Sequence, residues 1–381
     1  MRFDLDDEQD AFRREVRAFA TRKLAPHYQA DDQAAKLRPE VLGDLGGMGL
    51  MGLRVPEAYG GQGAGAVVTG IACEEVARAD FNSGYLVLNA ALVSEIVAAN
   101  GTDDQKASWL GPIAGGDVLP ALVLTEPEHG SDAAHLQLRA VRDGAGWRLE
   151  GEKTSISLGL YAHTGVVFAR TGGEGARGVS AFYVTFDDRY LSRKGFSDLG
   201  NRSIGRASLH FDGHPVASEA MIGGEGLGFV QCMKGFDYSR ALIGLMCLGA
   251  AQASIDEALA YAQERKAFGQ PIGKFQGLSF PLVEYATYLK GARHVCYEAL
   301  WRKDAGLDHT VEANMAKWWA PKVSLEAAHQ ALLTFGHVGY SDEVPLGQRI
   351  RDIIGLEIGD GTAQIAKLVV ARQLLGRAAA P

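Results

Sequence analysis

The hydrophobic pattern of this chain predicts an α+β fold, mainly α. A helical N-terminal domain leads into a middle antiparallel β-barrel or sandwich, and a C-terminal four-helix bundle follows. Two changes of period carry the prediction. Apolar residues recur at helical spacing up to Leu119, alternate in twos from there to about Gly228, and return to helical spacing from Phe229 onward. A length of 381 residues also exceeds what one small core organises, so the domains are placed at 1–119, 120–228 and 229–381.

In the first domain Phe12, Val16 and Phe19 mark one helical face between Asp6 and Leu24, and Leu42, Leu45 and Met48 continue the theme. A loop with Tyr59-Gly60-Gly61 precedes helices over Ile71 to Arg78 and Tyr85 to Ala99. Asp103 and Asp104 open the next helix, where the macrodipole favours acidic groups. Strand candidates in the middle domain are 121–124, 147–150, 165–169, 179–186 and 208–211, separated by glycine turns such as Asp143 to Gly146. The last domain predicts helices over about 229–265, 275–305, 310–335 and 361–377. Ala241 to Ala251 is apolar all round, which places the first of them at the centre or in a subunit interface.

Composition narrows the function. A net charge of −8 without a Lys/Arg block argues against nucleic acid and against a polybasic membrane patch. The apolar run Ala241 to Ala251 is too short to span a bilayer, and the acidic N-terminus lacks a signal-peptide core, so no membrane partner is expected. Four scattered cysteines without a CxxC pair read as buried thiols of a cytoplasmic protein. No metal-ligating cluster, HExxH or GxSxG occurs. Residues 173–178 fit GxGxxG, but strands on both sides make them a hairpin loop. His294 and His329, alone on helices, read as structural.

Three stretches are not accounted for by packing. Leu124-Thr125-Glu126-Pro127 through Gly130-Ser131-Asp132 leaves a strand with hydroxyls and backbone N–H groups able to hold a polar ring edge or a phosphate. The segment from Arg265 to Gln276 ends a long helix in a cation-rich turn; Arg265 either favours the helix C-terminus or grips a diphosphate. Last comes Gly359-Asp360-Gly361-Thr362, a tight turn with Thr362 placed as an N-cap. Asp360 either shapes this turn or offers one carboxylate at a helix start.

These stretches, in this order, resemble the acyl-CoA dehydrogenase family of flavoenzymes over nearly the whole chain. The Thr-Glu-Pro…Gly-Ser-Asp and Arg-x-x-Phe-Gly-x-Pro-Ile-x-x-Phe-Gln segments are specific family motifs. The resemblance implies an FAD between the β domain and the C-terminal helices. Leu124 and Thr125 would meet the flavin pyrimidine edge, and Gly130-Ser131 the diphosphate or the CoA chain. Ile156-Ser157 would lie by the flavin N5 region, while Thr362 and Gln364 would hold the adenosine half. Arg265, Phe268 and Gln276 would reach the FAD of a neighbouring subunit, in a homotetramer. Arg240 and Asp237 would stand near the substrate entrance and the CoA part. Three departures stand out: Ser155 replaces the family's usual Trp, Leu333 a glutamine, and His337 a glycine.

The family's chemistry needs a carboxylate for the α-proton of an acyl thioester whose carbonyl is polarised by hydrogen bonds. The resemblance assigns one of these to the backbone N–H at position 360, in the Asp360-Gly361 turn that meets the substrate. The usual base at the turn is Glu. Some members carry it instead one residue before the arginine matched by Arg240, but that position is Ser239 here, leaving Asp360 as the base. A subgroup with Asp at the turn acts on cyclohexane- and cyclohexene-carboxyl-CoA thioesters. The resemblance therefore implies dehydrogenation of an alicyclic acyl-CoA, with an electron-transfer flavoprotein as acceptor. A short or branched open-chain thioester, an acyl carrier substrate, and a non-catalytic flavin-binding paralogue are the alternatives.

Overall fold

The computed structural model describes residues 4–376 and 378–380. The N-terminal part holds six helices: α1 (Asp7–Lys23), α2 (Tyr28–Ala34), α3 (Glu40–Gly47), α4 (Ala66–Ala79), α5 (Phe81–Asn100) and α6 (Asp103–Ala114). Their starts are chemically marked. Asp6 with Gln9 and Thr102 with Gln105 form capping boxes, and Asp80 accepts from the Asn82 and Ser83 N–H groups. The short α2 was absent from the sequence reading, because seven residues carry too little periodicity to register.

Seven strands follow: β1 (Pro120–Val123), β2 (Arg139–Asp143), β3 (Gly146–Ile156), β4 (Thr164–Arg170), β5 (Val179–Thr185), β6 (Leu191–Gly195) and β7 (Ala207–Val216). They form one sheet curled around its own small core of Val123, Leu149, Phe182, Leu209 and Phe211. Register shifts in the β3·β7 pair, between Leu149/Glu150 and Lys153/Ile156, bend it. The expected antiparallel pairing holds for β2·β3, β3·β7, β4·β5 and β6·β7, but β1 and the start of β2 pair with β4 in parallel. A parallel partner needs a crossover connection, and the β2–β3 excursion supplies it. The glycine-rich 173–178 segment is the β4–β5 hairpin loop, as expected.

The third part contains α7 (Gly228–Glu264), a two-stranded hairpin β8 (Lys266–Ala267) and β9 (Gln270–Pro271), then α8 (Gln276–Asp304), α9 (Thr310–Phe335), α10 (Leu346–Ile358) and α11 (Ala363–Leu375). All four predicted helices are present, although residue 377, where the last was expected to end, lies outside the described residues. A fifth, α10, corrects the four-helix count. Its Leu346, Ile350, Ile353 and Leu356 keep helical spacing, but Gly347, Gly355 and the buried Arg349 and Asp352 break the apolar pattern. Helix α7 touches α4, α5, α8, α9 and α10, which is why it is apolar on every side. Gly249 permits the α4 approach: a Cβ there would lie 2.2 Å from the Glu74 carbonyl oxygen. Contrary to the expectation from the Ala241 to Ala251 run, both α5 and α7 are long and apolar enough to cross a bilayer. Packing accounts for that character, because 89% and 78% of their most apolar windows are buried in the protein. All four cysteines are buried and free.

Two buried polar junctions tie these parts together. Asp352 on α10 accepts from the Tyr28 hydroxyl at 2.7 Å, the Asn201 N–H at 2.5 Å and Asn82 Nδ2 at 3.4 Å. It thereby joins α2, α5 and the loop before β7. In the strand region, Lys153 Nζ donates to Glu126 Oε1 at 2.9 Å and to the Leu124 carbonyl at 2.7 Å. Glu126 also accepts from the Gln137 and Leu138 N–H groups, closing the 124–138 loop.

Burial raises the Asp352 carboxyl from 3.8 to about 7, against the lowering effect of the Asn201 and Tyr28 hydrogen bonds. The native state therefore holds a proton that the unfolded chain has released near pH 4. This contribution to stability is present at low pH and falls as pH rises toward 7. Between pH 5 and 8 wild type should lose about 2–3 kcal/mol relative to Asp352→Asn, read as the difference between urea melts across pH. Glu126→Ala should strand the Lys153 charge and cost about 3 kcal/mol in the same assay. Lys153→Met in that background should recover part of the loss, since it removes the uncompensated ammonium.

Candidate active site

A cavity of about 570 Å³ lies where α5, the loops after β1 and β3, the 198–206 segment, α7 and the α10–α11 turn converge. Its lining gathers Leu124, Thr125, Gly130, Ser131, Ile156, Ser157, Arg240, Asp360, Gly361 and Thr362. Residues up to 280 positions apart in the chain thus line one cavity (Tyr85 and Ile365).

The acid sits on a strained corner. Asp360 has φ +56° and Gly361 φ +96°, so the turn passes through left-handed space twice in succession. Helix α10 stops there, and Thr362 restarts the chain as the N-cap of α11, its hydroxyl accepting from the Ile365 N–H at 3.4 Å. Ser239 on α7 donates its hydroxyl to Asp360 Oδ2 at 2.9 Å. Arg240 Nε donates to the Asp360 carbonyl at 3.3 Å. On the far side Lys317 of α9 donates to the Leu356 carbonyl at 2.8 Å, within the last turn of α10.

Loss of water in this setting raises the Asp360 carboxyl above its ordinary value. The Ser239 hydrogen bond, Lys317 and Arg240 pull the other way. The result is a carboxylate more basic than a surface aspartate, facing open space from a fixed turn.

Asp237 stands one step back from the cavity. It pairs with Arg240 Nη1 at 3.0 Å and accepts from the Thr310 hydroxyl at 3.0 Å, so it orients Arg240. Gln364 is exposed on α11 and does not line the cavity. Arg265 caps α7 just before the β8–β9 hairpin, Phe268 lies between its strands and Gln276 opens α8; none lines the cavity, and Phe268 is 95% exposed. Leu333 and His337 are exposed as well.

Some cavity residues escaped the sequence reading. Tyr85 and Asn89 project from α5, and Asn201 and Arg206 come from the segment leading into β7. Arg206 Nη1 donates to Ser155 Oγ at 2.9 Å, and its guanidinium lies 4.3 Å from the Phe196 ring centroid. An arginine backed by a phenylalanine therefore occupies the flank where the aromatic residue is missing. Only Lys317, a charge inside the apolar run of α9, offered a signal that sequence alone could have caught.

The donor set suits a flat, amphipathic ring system. Leu124, Ile156 and Ile204 supply apolar surface, while the hydroxyls of Thr125, Ser131 and Ser157 engage no other side chain among the described residues. Hydroxyls without a side-chain partner among apolar lining residues suit an isoalloxazine, which combines an apolar ring face with a heteroatom edge.

Similarity to known proteins agrees with this geometry. The acyl-CoA dehydrogenase N-terminal, middle and C-terminal domain families match residues 6–117, 121–214 and 226–375. The chain is 36% identical to the probable acyl-CoA dehydrogenase YngJ of Bacillus subtilis, over 98% of this chain and 100% of that protein. It is 34% identical to the short-chain specific acyl-CoA dehydrogenase of Clostridium acetobutylicum, with the same coverage. The butyryl-CoA dehydrogenase of Megasphaera elsdenii superposes with a TM-score of 0.95 at 31% identity, over 98% of this chain and 100% of that one. With all three domains matched and full-length relatives at this identity, the chain belongs to the acyl-CoA dehydrogenase family of FAD-dependent oxidoreductases.

Proposed function

We propose that this acyl-CoA dehydrogenase acts on an alicyclic thioester of the cyclohexane- or cyclohexene-carboxyl-CoA type, with Asp360 as the base. The observation that carries the reading is the short acid on the Gly-Asp-Gly turn. An aspartate carboxylate is retracted by about 1.5 Å, one carbon–carbon bond, relative to glutamate. A misplacement of about 1 Å costs about a hundredfold in rate, so the substrate must bring its α-carbon nearer the turn. A ring at the α-carbon does so by filling the space that the longer side chain would take.

In this reading Leu124, Thr125, Gly130, Ser131, Ile156 and Ser157 hold FAD, with Thr362 and Gln364 on its adenosine half. Bound there, FAD would supply the acceptor for the hydride leaving the β-carbon. Asp360 takes the α-proton on its carboxylate, and the bond between the α- and β-carbons becomes double. The Asp360 N–H polarises the thioester carbonyl beside Gly361, which makes the α-proton acidic enough to leave. Ser239 fixes the carboxylate's rotamer, and Asp237 holds Arg240 in place against the turn. Arg265, Phe268 and Gln276 serve a neighbouring subunit of a cytoplasmic homotetramer, and an electron-transfer flavoprotein takes the electrons. The domain limits at 119/120 and 228/229 belong to the same proposal.

A short-chain reading is favoured by the names of the relatives: one is short-chain specific, and the Megasphaera elsdenii protein is a butyryl-CoA dehydrogenase. Anaerobic flavin bleaching separates the two. Cyclohexane-carboxyl-CoA should bleach the enzyme faster than butyryl-CoA, and the reverse order would replace the alicyclic reading with the short-chain one. Asp360→Asn should keep FAD and bind thioester while bleaching slows by about a thousandfold or more. Asp360→Glu should shift preference toward straight chains; an unchanged preference would remove the retraction argument.

A further inference from the structure

We propose that Lys317 is a positioning residue for the Asp360 carboxylate, clamping the helix end from which the Gly-Asp-Gly turn departs and supplying the positive charge behind it. The inference rests on Asp360 being the base.

Lys317 is completely buried in the middle of α9. Its Nζ donates to the Leu356 carbonyl at 2.8 Å and the Glu357 carbonyl at 3.4 Å. These are among the last acceptors of α10, which have no partner within their own helix. Asp360 follows two residues after that helix ends, so the clamp fixes the origin of the turn while Arg240 fixes its carbonyl from the opposite side.

A helix end needs no ammonium for this purpose, and burying one is costly. Among the described residues no carboxylate stands within ion-pair distance of Lys317. Burial lowers its proton affinity to about 8, and the charge that most strongly opposes this is Asp360. Other groups acting on Lys317 are the Cys247 thiol and Arg240 from α7 and Glu357 from α10; Ser239, Arg240 and Lys317 act on Asp360, which in turn faces Tyr85 of α5 and Cys232 of α7. Since Lys317 remains mostly charged at neutral pH, it favours the ionised base, and its removal must make Asp360 hold its proton to higher pH.

The test is the pH profile of kcat/KM for anaerobic bleaching in wild type, Lys317→Met and Lys317→Gln, with cyclohexane-carboxyl-CoA and butyryl-CoA in parallel. Glutamine keeps a donor for the helix end without the charge. Both variants should move the acidic limb up by about one pH unit, an approximately tenfold slower rate below the limb. The plateau above it should stay within about threefold in Lys317→Gln, with FAD absorbance retained and the melting temperature unchanged or raised. A limb left where wild type has it, with or without a lowered plateau, would overturn the proposal. Should Lys317→Met not fold, Lys317→Gln decides alone. Asp360→Asn run alongside keeps the two readings apart. If it retains turnover, the base assignment is what fails. If it is inactive while the limb stays fixed in the lysine variants, the base stands and the role of Lys317 falls.

Discussion

A single desolvated carboxylate on a left-handed corner sets the terms for the rest of this structure. Asp360 sits on this corner because α10 stops at Ile358, the chain crosses left-handed space at Asp360 and Gly361, and Thr362 restarts a helix at once. Each of these steps costs conformational freedom and must be repaid by surrounding contacts. Ser239 reaches the carboxylate, Arg240 the carbonyl of the same residue, and Lys317 the helix end before it. Three residues from two helices, α7 and α9, therefore fix the corner that carries one side chain.

Precision at the corner requires that those elements do not shift. Helix α7, which carries Ser239 and Arg240, is enclosed by five other helices, and a buried helix has few alternative placements in a close-packed interior. Helix α10 is anchored eight residues upstream of the acid, at Asp352, by groups from α2, α5 and the loop before β7. The opposite wall depends on Glu126, which binds two backbone N–H groups and the Lys153 ammonium and so gives the 124–138 loop one shape. Buried polar networks of this kind add little net stability but penalise every arrangement that leaves a member unpaired. That property is useful around a site whose parts come from distant stretches of chain.

Most of the architecture was legible in the sequence because it follows from periodicity. The two period changes and the four C-terminal helices are local patterns, and Leu124, Thr125, Ser131 and Asp360, singled out in the motif stretches, line one cavity. What stayed hidden depends on non-local facts. Helix α10 was obscured because its buried Arg349 and Asp352 are satisfied by partners far away in sequence, Glu257 and Tyr28, so its pattern does not look apolar. The parallel β1·β4 pair is a matter of connection rather than composition. Arg206 came without any motif, and its place beside Ser155 could be seen only once β3 and β7 were paired.

Ser239 shows how two distant elements of this fold address one point. Its hydroxyl lies 2.9 Å from Asp360 Oδ2, so a side chain on α7 and a side chain on the α10–α11 turn converge on one point in the cavity. A side chain placed on either element reaches that point from a different direction. Here the turn carries the acid in its shorter form, and the helix contributes only a hydroxyl, which stabilises the ionised carboxylate without adding a second negative charge. Two carboxylates at that separation would raise one another's proton affinity and leave one protonated. With serine opposite, no second carboxylate lies at hydrogen-bond distance to oppose the ionisation of Asp360 among the described residues.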